Sequence, residues 1–322
     1  MPQHFLHSAK ARTLSLAAVA RMTEAEARAA FRAIRWHATG GDPVCPRCGC
    51  LAVYEYRARA VFKCKACLRQ FSVTSGTIFH SRKLTFRDHL LAVAIFVNGA
   101  KGVSALQLGR DLDVSYKTAF VLAHKLREAM SAENAQATAA GHVEVDGAYF
   151  GGKLRHENCK ADRKDLRLLR NQSGKRRVVI VMRERGPSGR ALPFVVRAEH
   201  EAVPVIRRRV LGGSTVYADE APHWDALHAD YAAKRINHTL AFSDDGACTN
   251  QAESFFSRLR RAEIGQHHHI GGPYLKFYAG EMGWREDHRR WDNRAQWELA
   301  GVAALGHPVS RNWCGYWQRH AA

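Results

Sequence analysis

Two periodicities divide the chain. Up to about Met130 the apolar positions fall at helical intervals, and from Gly141 onward they alternate or cluster as in strands. The first helical segment is Thr23 to Trp36, where Thr23 and Glu26 have capping-box spacing and an alanine-rich run follows. Gly40-Gly41-Asp42-Pro43 stops it. Further helical runs cover Phe86 to Val97, Val103 to Leu112 and Tyr116 to Met130. In the last of these, Ala119, Leu122, Ala123, Leu126 and Met130 form one apolar stripe. The short break Asp113-Val114-Ser115 fits a helix-turn-helix, with Ser115, Tyr116 and Lys117 opening the helix that would read DNA. An ordinary helical hairpin is the plain alternative.

The strand half begins with Val143 and Val145 alternating with polar residues, which puts Glu144 and Asp146 together on the opposite face. Arg177 to Met182, Leu192 to Arg197, Thr215 to Ala218 and Ile236 to Leu240 are the next expected strands. Helices are expected at Ala202 to Leu211 and Thr249 to Ile264. Three strands, a helix, a strand, a helix, a strand and a helix is the order of an RNase H-like fold with a mixed five-stranded sheet. The fold class is therefore a multidomain α+β and α/β chain. The expected divisions are a helical leader at 1–40, of which 1–12 is disordered, a metal-binding unit at 41–80 and the helix-turn-helix at 81–135. A sheet domain at 141–305 and a tail at 306–322 follow.

Cysteine spacing adds a metal. Cys45-Pro-Arg-Cys48 and Cys64-Lys-Ala-Cys67 are two Cys-x-x-Cys pairs separated by 15 residues, the pattern of a four-cysteine zinc ribbon. Each knuckle presents two thiolates, and a hairpin of Val53-Tyr-Glu-Tyr and Ala60-Val-Phe-Lys brings the knuckles together. So small a unit has little core, and structural Zn2+ is expected to hold it folded. Cys50 lies off the pattern. With half of the eight cysteines so used, a reducing compartment is expected rather than disulfides.

Charge narrows the partner. The 322 residues carry 49 Lys and Arg against 30 Asp and Glu, a formal charge of +19, which points to a polyanion and above all to nucleic acid. No apolar run approaches the length of a membrane span and no signal peptide is evident, so no membrane partner is expected. Arg47, Arg57, Arg59, Lys63, Lys65 and Arg69 make the ribbon basic. The stretch from Lys153 to Arg177 holds ten Lys or Arg against three acids, and Lys164, Arg167 and Arg170 are its candidates for backbone contact. A merely solvated loop would look similar.

The acids supply the candidate chemistry. Asp146 lies on the first strand of the sheet, Asp219 closes the fourth, and Glu253 opens the last helix. Phosphodiester transfer uses two divalent ions, and Mg2+ or Mn2+ accepts such hard oxygen ligands. Asp146 is cast as the bridge between two ions, with Asp219 and Glu253 on one each. Asn250 shares the helical face of Glu253, and Arg260 follows on that face, where a cation suits a neighbouring phosphate. Glu144, Glu220, Asp244 and Asp245 are rival carboxylates, and a solvated edge-strand acid is the plain alternative for Asp146. His267-His268-His269 is either a phosphate contact or a polar loop. Trp284, Trp291, Trp297, Trp313 and Trp317 are read as core rather than as base-stacking residues.

Several blocks resemble the DDE-type transposases of bacterial insertion sequences, in the branch with an N-terminal zinc ribbon and an ISXO2-like transposase domain. They are Cys45-Pro-Arg-Cys-Gly, the run from Phe62 to Phe79, Val114-Ser-Tyr-Lys-Thr-Ala, the run from Glu144 to Lys153, and the run from Asn250 to Arg261. The resemblance extends from about Thr23 nearly to the C-terminus. It implies metal-dependent cleavage at the ends of an element, then strand transfer by direct transesterification. The catalytic positions it implies are Asp146, Asp219, Glu253 and Arg260. The family also allows Asn at the last acid, which leaves Asn250 in competition. Arg260 stands where lysine is common, keeping the charge and changing the geometry. The implied partners are terminal inverted repeats and target DNA, with a homodimer or larger assembly on DNA, in the cytoplasm of a bacterium beside the nucleoid. A non-catalytic DNA-binding regulator and an RNase H-like nuclease without strand transfer are the alternatives.

Overall fold

The computed structural model describes residues 5–152, 158–165, 174–236, 246 and 248–319. Helix α1 spans Leu16–Ala20 and α2 Glu24–Arg35. Thr23 and Glu26 form the expected capping box: the Glu26 carboxylate accepts from Thr23 N at 2.8 Å, and Glu26 N donates to the Thr23 hydroxyl at 3.3 Å. The expected disordered leader is largely placed. Residues 5–7 and 9–11 form two short turns with Ala11 buried, because Thr13 and Leu14 donate their amides to Asn293 Oδ1, each at 2.8 Å. Such a long-range tether leaves no local pattern.

The ribbon is an antiparallel sheet of β1 (Val53–Tyr56), β2 (Val61–Cys64) and β3 (Gln70–Phe71), in that order. Trp36 at the end of α2 meets Phe62 edge-on at 5.4 Å, and Phe62 lies 5.5 Å from Phe71, so the helix supplies the core the ribbon lacks. Next come α3 (Phe86–Asn98), α4 (Ala105–Asp111) and α5 (Tyr116–Ala135). Asp113, at φ 52°, makes the turn between α4 and α5, and Ser115 Oγ accepts from Thr118 N at 3.3 Å.

A second sheet holds β4 (His142–Phe150), β5 (Arg177–Glu184), β6 (Ala191–Val196), β7 (Thr215–Asp219) and β8 (Ala232–Ile236). Their order is β6-β5-β4-β7-β8; the first three are antiparallel, and β7 and β8 run parallel to β4. Among the described residues the last strand is 232–236, and residues 237–240 of the expected 236–240 lie outside those described. Ala232-Ala-Lys-Arg has no apolar alternation, since this edge strand buries only Ile236.

One face of the sheet packs Val143, Val145, Ile180 and Val216 against helix α6 (Val203–Arg209) and the turn carrying Trp224. On the other, Ala148, Phe150, Val179 and Val181 meet Phe255, Phe256 and Leu259 of α7 (Asn250–Ala262) and Leu275 and Met282 of α8 (Leu275–His288). Glu144 and Asp146 share this second face, as the alternation requires.

The chain divides into two units, Asn134–Asp287 and the remainder, Met1–Glu133 with His288–Ala322. The unit that holds the second sheet ends at Asp287 in this division. Helix α9 (Asn293–Gly306) packs against α2 and α3: Trp297 Nε1 donates to Leu90 O at 3.0 Å, and a Cβ on Gly301 would press Ile34 at 3.0 Å. The short α10 (Tyr316–Arg319) ends the described chain, with Trp317 donating to Lys117 O at 3.1 Å. Trp284, Trp297 and Trp313 are core and Trp317 is half-buried, whereas Trp291 is 48% exposed, contrary to the expectation of core.

Candidate functional site

The four ribbon cysteines converge. Their sulfurs lie within 4.8 Å of one another, with Cys45 and Cys67 3.6 Å apart and Cys48 and Cys64 3.5 Å apart. Four thiolates about 2.3 Å from one tetrahedral Zn2+ stand about 3.8 Å from each other, so the set fits that ion. The Cys67 amide points at Cys64 Sγ at 3.5 Å, a donor that favours the thiolate form of that ligand. Cys50 stays outside the cluster, its sulfur 3.7 Å from Ala52 O.

The acids meet through strand register. His142, Val143 and Glu144 pair with Thr215, Val216 and Tyr217, an offset that sets Asp146, midway along β4, level with Asp219 at the end of the adjacent parallel strand β7. Burial pushes the Asp146 carboxyl up to about 7. The charges of Asp219, Glu253 and Glu199 push the same way, against the Gly147 N–H that donates to Asp146 Oδ1 at 2.7 Å. Asp146 thus feels both other expected acids. A buried carboxylate with other acids near it suits a divalent cation bound through hard oxygen ligands. Among the described residues, the cysteines are the one group of three or more ligand side chains already within coordinating reach of each other.

Glu199 was not legible in the sequence. It lies in a polar turn, Glu199–Ala202, with no periodicity to single it out. A Cβ on Gly147 would stand 2.9 Å from Ile180 Cδ1 and 3.1 Å from Glu199 Oε1, so Glu199 lies close against this glycine. Its carboxyl is raised by burial and by Asp219, and lowered by Arg176, whose guanidinium lies 4.0 Å over the Tyr149 ring. His223 Nε2 is 3.6 Å from Glu199 Oε2.

The rival Glu144 has other work. Its Oε1 accepts from Arg185 Nε at 2.8 Å, and its Oε2 accepts from the amides of Gln251 at 2.8 Å and Ala252 at 3.0 Å. Asn250 and Glu253 are both exposed on the first turn of α7, and Glu253 also takes a 3.3 Å hydrogen bond from Thr249 Oγ1. Arg260 is exposed with its guanidinium 5.2 Å from the centre of the Phe150 ring, on the same face as Asp146. Glu220 is exposed beside Asp219, and Asp244 and Asp245 lie outside the described residues.

Of the expected DNA contacts, Ser115, Tyr116 and Lys117 are exposed at the start of α5, and Lys117 Nζ sits 5.4 Å over the Trp317 ring. Lys164 is exposed, while Arg167 and Arg170 lie outside the described residues. His267 packs on Tyr278 at 4.6 Å, and His268 and His269 are exposed. No described helix is long and apolar enough to cross a membrane.

Residues 138–287 match the ISXO2-like transposase domain, and residues 22–70 match the transposase zinc-ribbon domain. A protein of Halobacterium salinarum, described as an uncharacterized protein in transposable element ISH50, is 27% identical over 239 residues, which is 71% of this chain and 79% of that one. The chain belongs to the insertion-sequence transposases that join a zinc ribbon to an ISXO2-like domain.

Proposed function

We propose that this transposase cleaves the ends of its element and joins them to target DNA through an Asp146-Asp219-Glu253 site of the DDE type, on an RNase H-like sheet. The strand order, with its antiparallel trio followed by two parallel strands, supports the RNase H-like assignment. The observation that carries the catalytic reading is the β4–β7 register, which sets Asp146 level with Asp219, while Glu144 on the same strand holds the first turn of α7 that carries Glu253; the raised Asp146 carboxyl agrees with it. Two Mg2+ or Mn2+ ions, when bound, supply activation of the attacking oxygen and stabilisation of the leaving one. Asp146, Asp219 and Glu253 would hold them. Glu253 is preferred over Asn250 because a carboxylate brings a negative, hard oxygen ligand to a divalent cation and a neutral amide does not.

The chain's other residues bind and orient. Arg260, on the same face, holds a phosphate next to the scissile one. The exposed start of α5, with Ser115, Tyr116 and Lys117, serves as the reading helix of a helix-turn-helix. The basic ribbon and the 153–177 stretch with Lys164, Arg167 and Arg170 hold backbone. The reaction is two in-line displacements at phosphorus. Water first frees a 3′-hydroxyl, which then attacks the target phosphodiester and expels its 3′-oxygen, with no covalent enzyme intermediate. Joining requires two ends in one complex, so a homodimer or larger assembly on DNA is part of the reading.

The test is incubation of full-length protein with a labelled terminal repeat and a supercoiled plasmid, in Mg2+ and in Mn2+. Metal-dependent nicking with joined product is the expected result. Cleavage without joining or end preference would replace the transposase reading with a nuclease. Specific binding without cleavage in either metal would replace it with a regulator.

A further inference from the structure

We infer that Glu144 is a positioning residue for this site, a buried latch that sets where Glu253 stands relative to Asp146; the inference rests on the reading of the three acids given above. Helix α7 has no side-chain cap of its own. Its N-cap residue Thr249 has φ −121° and ψ 22°, makes no side-chain cap hydrogen bond, and donates to Glu253. The orphan amides at the helix start are taken from outside, by Glu144 Oε2 at 2.8 and 3.0 Å. A carboxylate there also meets the positive end of the helix dipole.

The other oxygen is held as firmly. Arg185 Nε donates to Glu144 Oε1 at 2.8 Å, and its remaining nitrogens reach Gly246 O at 2.8 Å and Cys248 O at 2.7 Å, on the approach to α7. The Arg185 guanidinium lies flat over Tyr217 at 3.6 Å. Glu144 is only 1% exposed, so its carboxylate is shut off from water, while the Arg185 side chain is 21% exposed.

The latch touches every arm of the site. Glu144 precedes Asp146 by two residues on the same strand face, and Tyr217 precedes Asp219 by two on the neighbouring strand. Gln251 and Ala252 immediately precede Glu253. One charge pair therefore ties the two strand acids, on the sheet, to the one acid that a separate helix delivers. Removing it leaves α7 packed through Phe255, Phe256 and Leu259, with its first turn free to shift. A misplacement near 1 Å at a reacting centre costs about 100-fold in rate.

Glu144→Gln keeps an acceptor and removes the charge, and it should lower end cleavage by about 100-fold. It should also raise the Mn2+ concentration at half-maximal rate while leaving zinc content and DNA affinity at wild-type values. Arg185→Lys, which keeps a cation and loses the fork to Gly246 and Cys248, should shift both in the same direction by less. Two further readouts need no cleavage: Mn2+ binding to full-length protein by paramagnetic resonance, and amide exchange at Gln251 and Ala252. Weaker Mn2+ binding with faster exchange in both variants supports the latch. Wild-type Mn2+ binding in either folded variant overturns it, as does a rate loss with an unchanged metal midpoint. If the wild type binds Mn2+ through Asp146 yet cleaves no DNA, the transposition chemistry falls, and the Mn2+ and exchange measurements still decide the latch. Should Glu144→Gln fail to fold, Arg185→Lys alone decides.

Discussion

Replacing Asp146 with Asn should stabilise the metal-free protein while destroying its chemistry. The folded carboxyl is pushed from 3.8 to about 7, first by burial and then by Asp219, Glu253 and Glu199. Because this value is raised, the favourable contribution of the bound proton is fully present below 3.8 and is lost as pH rises through about 7. At 1.36 kcal/mol per pH unit, the wild type carries up to roughly 4 kcal/mol of electrostatic penalty at pH 8, which a neutral amide of the same shape removes. Between about pH 5.5 and 8 the stability gap between variant and wild type should widen by about 2 kcal/mol, or roughly 4–8 °C in melting temperature for a unit of this size. Scanning calorimetry of the zinc-loaded full chain, followed across that pH range without Mg2+, measures it. Added Mg2+ or Mn2+ should then raise the wild-type transition and leave Asp146→Asn unmoved. A variant no more stable than wild type at pH 8, or a gap that does not change with pH, would refute the argument that Asp146 is desolvated beside the other carboxylates.

Three other outcomes follow from the same geometry. Stripping zinc with a chelator should unfold the ribbon, since metal binding supplies on the order of 10 kcal/mol to such units; trypsin should then cut at Arg47, Arg57, Arg59 and Arg69, and an unchanged digest would deny the metal its structural role. Lys117→Ala should weaken DNA binding about equally across sequences and reduce the slope of log affinity against log salt by about 1 if the lysine meets a phosphate; an unchanged slope in filter binding would remove it from the interface. Glu253→Gln should abolish cleavage by about 1000-fold or more, whereas Asn250→Ala should cost less than about tenfold. The reverse ranking would move the third ligand to Asn250.

What was legible in the sequence is what local spacing encodes. Two Cys-x-x-Cys pairs announced a site whose four sulfurs do converge. Thr23 and Glu26 announced their capping box, and the valines flanking Glu144 announced the face on which Asp146 lies. What was not legible depends on partners far along the chain. Glu144 looked like a rival ligand because its donors, Arg185, Gln251 and Ala252, are 41 to 108 residues away. Glu199 is brought close to Gly147, beside Asp146, by a turn and not by any period. The edge strand β8 buries one side chain and so has no pattern to read, and α9 leaves the sheet unit because its contacts are with α2 and α3.

The central claim is that Asp146, Asp219 and Glu253 together make the chain a metal-dependent DNA-joining enzyme. Its most direct test compares wild type with Asp146→Asn, Asp219→Asn and Glu253→Gln on a pre-nicked terminal repeat that already carries the free 3′-hydroxyl. In Mg2+ the wild type should transfer that end to plasmid, and each variant should bind the same DNA with undiminished affinity and join none of it. Joined product from any one of the three variants at the wild-type rate would contradict the account.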